Sequence, residues 1–373
     1  MDDFTPFLQI VHISDLHITD PRSASSVGLR GTLRKLKVGF PWPEVIEHIE
    51  DGIAPHEPDA VSKFKEFLKR ITDRHSGWAH CETWLVDTGD LTSLGDQDSF
   101  IMGSQFLSEL KKHCTRSASI YGNHDAWPGT FPVFARKADI DTQKQSLAVL
   151  KYDVDKPSLA LRTSIPGTSS EVQLYLVDSV IHQRLRNLRA IGEVSPAQLQ
   201  ALKQLVDDNY EAGKNHFRIL GVHHPVHYPP TRPSFSMCME NDHAVAKALG
   251  SRTAKGTSPL AHLVLSGHTH SLYPQHGALP ANPQLCTHPH LGTNQCQFVV
   301  GTLMQFDRQN KRGKYPHQCE VLRFYSSQSH PTVLAVERFF AARQATNQSG
   351  SGFGPYNFVE ENGRMEEEIT FTL

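Results

Sequence analysis

The sequence predicts an α/β fold with a largely buried sheet, and two observations support this prediction. Short apolar runs rich in β-branched residues alternate with segments of helical periodicity, which is the pattern of strand–helix–strand units. A polar cluster follows five of these runs, as expected where parallel strands end at one edge of a sheet. With 373 residues, the chain is long enough to bury a sizeable core without disulfides.

The predicted strands are short apolar runs, most of them separated by longer polar segments. Six of them lie at residues 8–13, 84–86, 118–121, 172–177, 217–222 and 262–265. Three more runs, at 298–304, 319–325 and 332–339, follow one another without helical periodicity between them. Because antiparallel strands need no helical crossover, we expect these last three strands to be antiparallel neighbours.

The predicted helices carry apolar stripes that would face the sheet. One stripe repeats at i, i+3, i+4 and i+7 and consists of Phe64, Phe67, Leu68 and Ile71. Another helix is marked at its start by a capping box of Ser195 and Gln198, with Pro196 at the first helical position. Gly213 offers a stop for that helix.

Composition and charge exclude several classes of protein. Lys and Arg number 37 against 39 Asp and Glu, so the net charge of −2 gives no sign of nucleic-acid binding. The only basic cluster, at residues 30–37, is interpreted as a solvated face. No apolar run approaches the ~20 residues of a membrane helix, and the first residues lack a secretory pattern. The six cysteines form no C-x-x-C pair, so we expect a cytoplasmic protein with reduced thiols and no membrane partner.

Five polar clusters with metal-ligating side chains follow predicted strands directly. They are Asp15-Leu16-His17, Gly89-Asp90, Gly122-Asn123-His124-Asp125, His223-His224-Pro225 and Gly267-His268-Thr269-His270. Loops beyond the carboxyl ends of strands converge on one crevice in an open α/β sheet, so these clusters are expected to meet. Imidazole combined with hard oxygen suits Zn, Mn, Fe, Co or Ni, and seven such ligands suffice for two ions sharing one carboxylate.

The five clusters, in this order, resemble those of the calcineurin-like metallophosphoesterases. The pattern of that family is D-x-H, G-D, G-N-H-[DE], a His after a strand, and G-H-x-H, and it is matched from Asp15 to His270. The resemblance implies a four-layer α/β/β/α sandwich with a dinuclear metal site at the carboxyl ends of the strands. It also implies a metallophosphoesterase domain over residues 1–340, followed by a C-terminal extension, 341–373, with a Gly/Ser-rich loop.

The resemblance further implies a role for each matching residue. Asp15, His17 and His270 would hold the first ion. Asn123, His223 and His268 would hold the second. Asp90 would bridge both ions, His124 would stabilise charge and protonate the leaving oxygen as a catalytic residue, and Asp125 would assist His124. In the His223-His224 pair, His223 is taken as the ligand because it follows the strand directly.

The implied activity is hydrolysis of a small phosphoester by a metal-bridging hydroxide, with two divalent Mn, Fe or Zn ions as cofactors. Gly122-Asn123-His124-Asp125, His223-His224-Pro225 and the Leu-Val-Asp-Ser stretch at 176–179 are similar to the cyclic-nucleotide and glycerophosphodiester phosphodiesterase branch. A phosphodiesterase is therefore the favoured function. A phosphomonoesterase or protein phosphatase, a nuclease of the same family, and a non-catalytic scaffold are the alternatives.

Overall fold

Two β-sheets packed face to face form the centre of the fold. The computed structural model describes residues 3–22, 56, 58–73, 78–127, 156–180, 191–226, 239–251, 259–269, 295–301, 303, 318–345, 356–360 and 367–372. In chain order, the strands are β1 (Phe4–Ile13), β2 (Glu82–Asp87), β3 (Arg116–Ser119), β4 (Ser158–Ser164), β5 (Glu171–Leu176), β6 (Phe217–Gly221), β7 (Leu263–Ser266), β8 (Cys296–Val299), β9 (Gln318–Ser327), β10 (Val333–Ala345), β11 (Tyr356–Glu360) and β12 (Glu367–Thr372). The helices are α1 (Pro58–Ile71), α2 (Gln97–Lys111), α3 (Pro196–Asp208) and α4 (Asp242–Gly250).

The first sheet has the strand order β11-β10-β9-β1-β2-β3, and β12 also pairs with β10. Strands β1, β2 and β3 are parallel, whereas β9 is antiparallel to both β1 and β10. The second sheet has the order β4-β5-β6-β7-β8 and is parallel from β5 onwards. The carboxyl ends of β1, β2 and β3 therefore lie together, as do those of β6 and β7.

Helices cover the outer face of each sheet, which gives four layers. Phe64 and Leu68 of α1 and Leu107 of α2 pack against Val11 of β1 and its neighbours in the first sheet. On the second sheet, α3 and α4 pack against Leu220 and Val264. Between the sheets lies a third apolar cluster that includes Leu8, Trp84, Phe217, Phe298 and Phe324. The predicted α/β/β/α sandwich is confirmed.

Both predicted helix signals are found where the sequence placed them. All four residues of the α1 stripe are buried, as the periodicity requires. At the start of α3, Ser195 Oγ accepts from the Gln198 backbone N–H at 3.2 Å, and Gln198 Oε1 accepts from the Ser195 N–H at 2.8 Å. The helix ends at Asp208, before Gly213, which lies in the following turn with a φ of 80°.

The expectation of three late antiparallel neighbours is wrong for the first of them. Strand β8 pairs in parallel with β7 in the second sheet, whereas β9 and β10 are antiparallel and belong to the first sheet. The reason is that β9 pairs along β1, where its apolar side chains Leu322 and Phe324 join the core between the sheets. The apolar runs identified the three strands. The lack of helical periodicity between them did not identify the strands with which they pair.

The C-terminal strands extend the first sheet. The predicted boundary at residue 340 lies within β10, and both β11 and β12 pair with that strand. The division at residue 340 stays a prediction, and residues 346–355 of the predicted loop lie outside the described residues, as does the basic cluster at 30–37. Within the described ranges, no helix has the length and apolarity needed to cross a membrane.

Candidate metal centre

The predicted ligands lie in loops that follow five different strands. Asp15 and His17 follow β1, Asp90 follows β2 and Asn123 follows β3, while His223 and His268 follow β6 and β7. All six side chains are buried, with at most 2% of their surface exposed. The seventh predicted ligand, His270, lies outside the described residues. The convergence that strand order predicts is thus present for the six that are described.

Backbone hydrogen bonds join these loops to one another. The Asp15 N–H donates to the Gly89 carbonyl at 2.9 Å, and the His17 N–H donates to the Asp90 carbonyl at 2.9 Å. Across the two sheets, the His268 N–H donates to Asp15 Oδ2 at 2.9 Å. The loops after β1, β2 and β7 therefore form one connected unit rather than independent segments.

Four predicted ligands have left-handed backbone conformations. The φ angles are 53° at Asp15, 51° at His17, 54° at Asp90 and 70° at His268, and these are the positive values among non-glycine residues of the described chain. A side chain in this region costs roughly 1–3 kcal/mol, so such residues persist only where surrounding contacts hold them. The backbone is strained at the positions where the sequence predicts metal ligands.

Asp90 lies at the centre of the cluster. Its Oδ1 accepts from the His124 N–H at 2.8 Å, while its Oδ2 lies 3.4 Å from His223 Nε2 and 3.8 Å from His17 Nε2. Burial raises the pKa of Asp90, but His223, His124 and His17 outweigh burial, and its pKa lies below the usual range. Asp90 is therefore a carboxylate, placed between imidazoles of two different predicted metal positions.

His223 presents its Nε2 to the centre. Its Nδ1 is 2.8 Å from the Thr88 carbonyl, which can only accept, so Nδ1 keeps its proton and Nε2 is the nitrogen that could lose its proton to hold an ion. Around Nε2 lie Asn123 Oδ1 at 3.0 Å and His268 Nδ1 at 3.2 Å. Burial lowers the pKa of His223, but Asp90 outweighs it and raises the pKa to about 9.

His224 is held differently from His223. Its Nδ1 lies 2.8 Å from Ser179 Oγ, and the same hydroxyl accepts from the His224 N–H at 3.2 Å. Burial, followed by the nearby His268 and His223, lowers the pKa of His224 well below its usual value, so this imidazole is neutral. Its ring lies 4.2 Å from that of His268, so His224 packs against a predicted ligand.

His124 and Asp125 are neighbours in the chain but make different contacts. His124 Nδ1 is 2.9 Å from the Ser93 carbonyl, and its ring centroid lies 4.3 Å from that of Trp127, with the two rings tilted by 34°. Asp125 accepts backbone N–H donors from Leu91, Thr92 and Gly122 at 2.8–3.1 Å, and also the Thr92 hydroxyl. Burial and Asp90 raise the pKa of Asp125 to about 7, against the effect of those backbone donors. Its carboxyl group thereby joins the loops that carry Asp90 and Asn123.

The residues present fit divalent metal ions. Ligand atoms of Asp15, Asp90 and His223 lie within 4.8 Å of one another, and so do those of His223, His224 and His268. Asp90 Oδ2 is buried and accepts no hydrogen bond from the described residues. A buried carboxylate oxygen that accepts no hydrogen bond is a suitable ligand for a cation.

A set of polar residues behind the candidate metal centre was not predicted from the sequence. His12, Thr88, Glu320 and Arg338 are almost fully buried between the sheets and hydrogen-bonded in series. The sequence pattern that could have revealed these residues is strand alternation. His12 lies on the same face of β1 as Leu8 and Ile10, so a polar residue stands where an apolar one is expected. Asp87, the last residue of β2, accepts from the Gly89 N–H at 3.2 Å, as a turn-forming Asp does.

The fold and the site define an α/β/β/α sandwich protein with a candidate metal centre of Asp, Asn and His side chains at its strand ends. The sequence profile described as Calcineurin-like phosphoesterase matches residues 8–272, which is most of the chain. The chain therefore belongs to the calcineurin-like phosphoesterase family. No curated protein shows a significant sequence match to it.

Three solved structures are similar in fold at low sequence identity. The purple acid phosphatase PPD1 from yellow lupin (Lupinus luteus) seeds has 11% identity and a TM-score of 0.47, with 98% of this chain and 53% of that chain covered. The sulfate thiohydrolase SoxB from Thermus thermophilus has 13% identity and a TM-score of 0.39, with 85% and 54% covered. GAP50 of Plasmodium has 9% identity and a TM-score of 0.43, with 99% and 90% covered. The chain thus spans about half the length of the first two proteins.

Proposed function

We propose that this chain is a phosphodiesterase that holds two divalent transition-metal ions, Mn, Fe or Zn, at the carboxyl ends of its strands. The observation that carries the proposal is the convergence of buried Asp, Asn and His donors from five strand-end loops. Carboxylate oxygen together with imidazole nitrogen suits these borderline metals. When bound, two such ions would activate water and neutralise phosphoryl charge.

The proposed ligand assignment is the one that the family resemblance implies, and the contacts of Asp90 support it. Asp90 Oδ2 faces both His17 Nε2 and His223 Nε2, which supports a carboxylate shared between two ions. The assignment of His270 rests on the sequence pattern alone. The first ion would be held by Asp15, His17 and His270, the second by Asn123, His223 and His268, and both by Asp90.

His124 is proposed as the residue that exchanges a proton with the substrate. Its Nδ1 faces the Ser93 carbonyl, which assigns the proton to Nδ1 and leaves Nε2 as the second titrating nitrogen. Its backbone N–H holds Asp90 Oδ1, so His124 is fixed beside the proposed bridging carboxylate. Asp125 is proposed as a positioning residue, because its oxygens accept four hydrogen bonds from the surrounding loops.

Charge balance supports a diester over a monoester. Two divalent ions and the carboxylates of Asp15 and Asp90 leave two surplus positive charges, which one hydroxide and one monoanionic diester would neutralise. A dianionic monoester would leave excess negative charge in a buried site, which is costly without a further cation. Arg22, which follows the first polar cluster in the chain, is already paired with Asp20 at 2.9 Å. The similarity to the cyclic-nucleotide and glycerophosphodiester branch points the same way.

The test is hydrolysis of bis(p-nitrophenyl) phosphate against p-nitrophenyl phosphate by the full chain loaded with Mn²⁺. We expect kcat/KM for the diester to exceed that for the monoester by about tenfold or more, a difference of about 1.4 kcal/mol in activation free energy. Chelation should abolish turnover, and added Mn²⁺ should restore it. Asp90→Asn should lose metal and rate, whereas the control Asp207→Asn removes a buried carboxylate of α3 and should retain both.

Each of the other possible results of this test would support one of the alternative functions. Preference for the monoester would overturn the diesterase proposal in favour of a phosphatase. Salt-sensitive cleavage of single-stranded DNA with little activity on small diesters would indicate a nuclease. Metal binding without turnover on any phosphoester would indicate a scaffold.

A further inference from the structure

We propose that the buried series Arg338–Glu320–His12–Thr88 is a positioning network that fixes the metal ligand His223 from behind. The inference rests on the proposed function, because it assigns a task toward the metal that His223 would hold. The network lies between the two sheets, directly beneath the loops that carry the predicted ligands.

The contacts run from β10 to the metal centre without a break. Arg338 Nε donates to Glu320 Oε1, and Glu320 Oε2 accepts from His12 Nδ1 at 2.8 Å. His12 Nε2 is hydrogen-bonded to Thr88 Oγ1 at 3.0 Å. The carbonyl of the same Thr88 lies 2.8 Å from His223 Nδ1.

These residues occupy positions that strand alternation assigns to the apolar core. His12 follows Leu8 and Ile10 on the inner face of β1, where each of those two side chains joins the cluster between the sheets. Glu320 stands in the same relation to Leu322 and Phe324 of β9. Both polar side chains are fully buried. Apolar side chains would therefore fit this face of the first sheet.

Stability alone does not account for a buried ion pair at these positions. Desolvating two charges can cost more than their attraction returns, and apolar replacements of such pairs are often neutral or stabilising. Burial raises the pKa of Glu320, but Arg338 and His12 outweigh burial, and its pKa lies below the usual range. Glu320 is thus a carboxylate in the core, with Arg338 stacked on the Phe298 ring 4.0 Å away.

The side chain and the carbonyl of Thr88 both make directional hydrogen bonds. An apolar core would not provide such bonds. The Thr88 side chain is held by His12 of the first sheet, while its carbonyl orients His223 of the second sheet. A ligand imidazole needs such a partner on its far nitrogen, because that partner sets the tautomer and the ring direction. The network therefore couples the relative position of the two sheets to the direction of His223 Nε2.

The experiment measures Mn²⁺ affinity of the full chain by competition with a fluorescent chelator, together with urea unfolding of the metal-free protein. His223→Ala identifies which Mn²⁺ equivalent this ligand holds. Thr88→Val removes only the hydroxyl and should weaken that equivalent by about 10–100-fold, while Thr88→Ser should retain it within about threefold. Thr83→Val, the same change at a buried threonine at the start of β2, is the matched control and should also stay within about threefold.

A double-mutant cycle tests whether Glu320 acts through Thr88. Glu320→Gln should also weaken the His223 equivalent, and the double variant should lose no more than the stronger single variant, because both changes interrupt one series. Losses that multiply, or a Thr88→Val affinity equal to that of Thr83→Val, would overturn the inference. Should Thr88→Val fail to fold, Glu320→Gln decides alone: a loss of about tenfold supports the network, and affinity within about threefold overturns it.

This readout separates the inference from the proposed function. Metal affinity is measured without substrate. Failure to hydrolyse any diester would therefore overturn the proposed activity but would not contradict the proposed positioning network. A wild-type chain that binds no Mn²⁺ through His223 would overturn both.

Discussion

Gly122 is the position at which one added methyl group tests the architecture of the site without removing a predicted ligand. A Cβ built on Gly122 would lie 2.0 Å from Asp90 Oδ1 and 2.3 Å from the Asp90 backbone nitrogen. Since real Cβ contacts essentially never fall under 3.0 Å, the Asp90 carboxylate must move by about 1 Å in Gly122→Ala. A displacement of about 1 Å costs on the order of 10²-fold in rate, or about 2.7 kcal/mol of activation free energy.

The assay is steady-state hydrolysis of a nitrophenyl diester with Mn²⁺, together with metal content and urea unfolding. The control is Gly213→Ala, where no atom lies within 4 Å of the new Cβ but φ is +80°. This control should lose about 1 kcal/mol of stability through backbone strain and keep its rate and metal content. If Gly122→Ala retains a kcat within about threefold of wild type and both metal ions, the packing argument fails, because Asp90 would not be confined as described.

Three further predictions concern the histidines. His124→Ala should keep both ions and lose about 10²–10⁴ in rate, with a smaller loss for a substrate with a nitrophenolate leaving group. Asn123→Ala should instead lower the metal content. Equal metal loss in the two variants would refute this division of roles. His223→Ala should empty the second site while His224→Ala retains it, as measured by elemental analysis, and the reverse result would exchange the two assignments. Because a proton on His223, with a pKa of about 9 without metal, competes with the ion, Mn²⁺ affinity should rise with pH up to about 9. A flat affinity between pH 6 and 9 would contradict the raised pKa of His223.

The same pKa of His223 fixes the sign of a stability effect in the metal-free protein. The folded pKa of about 9 lies above the ordinary value of 6.5, so the protonated imidazole stabilises the fold fully below about pH 6.5. This contribution is lost as pH rises through about 9. Urea unfolding at several pH values should therefore show stability falling over this range in wild type, and a smaller fall in His223→Ala.

The sequence predicts those parts of the fold that depend on local pattern. The α1 stripe at Phe64 and Leu68 and the α3 cap at Ser195 depend on neighbouring residues and were found as predicted. The convergence of Asp15 and Asp90 depends only on strand ends meeting at one edge, and it was also predictable.

What the sequence did not predict depends on pairing between distant residues. Phe4 pairs with Ser327, so the place of β9 beside β1 is set by contacts across more than three hundred residues. The His12–Glu320 contact has the same origin, since strand alternation places each polar residue on the inner face but does not identify its partner. No periodicity within either segment carries that information.

Four residues of the site have left-handed conformations: Asp15, His17, Asp90 and His268. The free energy needed to strain the backbone at these positions is therefore supplied when the protein folds and not when it binds metal. In small zinc domains, by contrast, ion binding and folding are a single event. Here the apolar clusters on both sides of each sheet hold the loops in place, so the empty chain should fold and accept ions afterwards. One divalent ion could then replace another without rebuilding the loops, so the metal found in the protein would follow its supply in the cell.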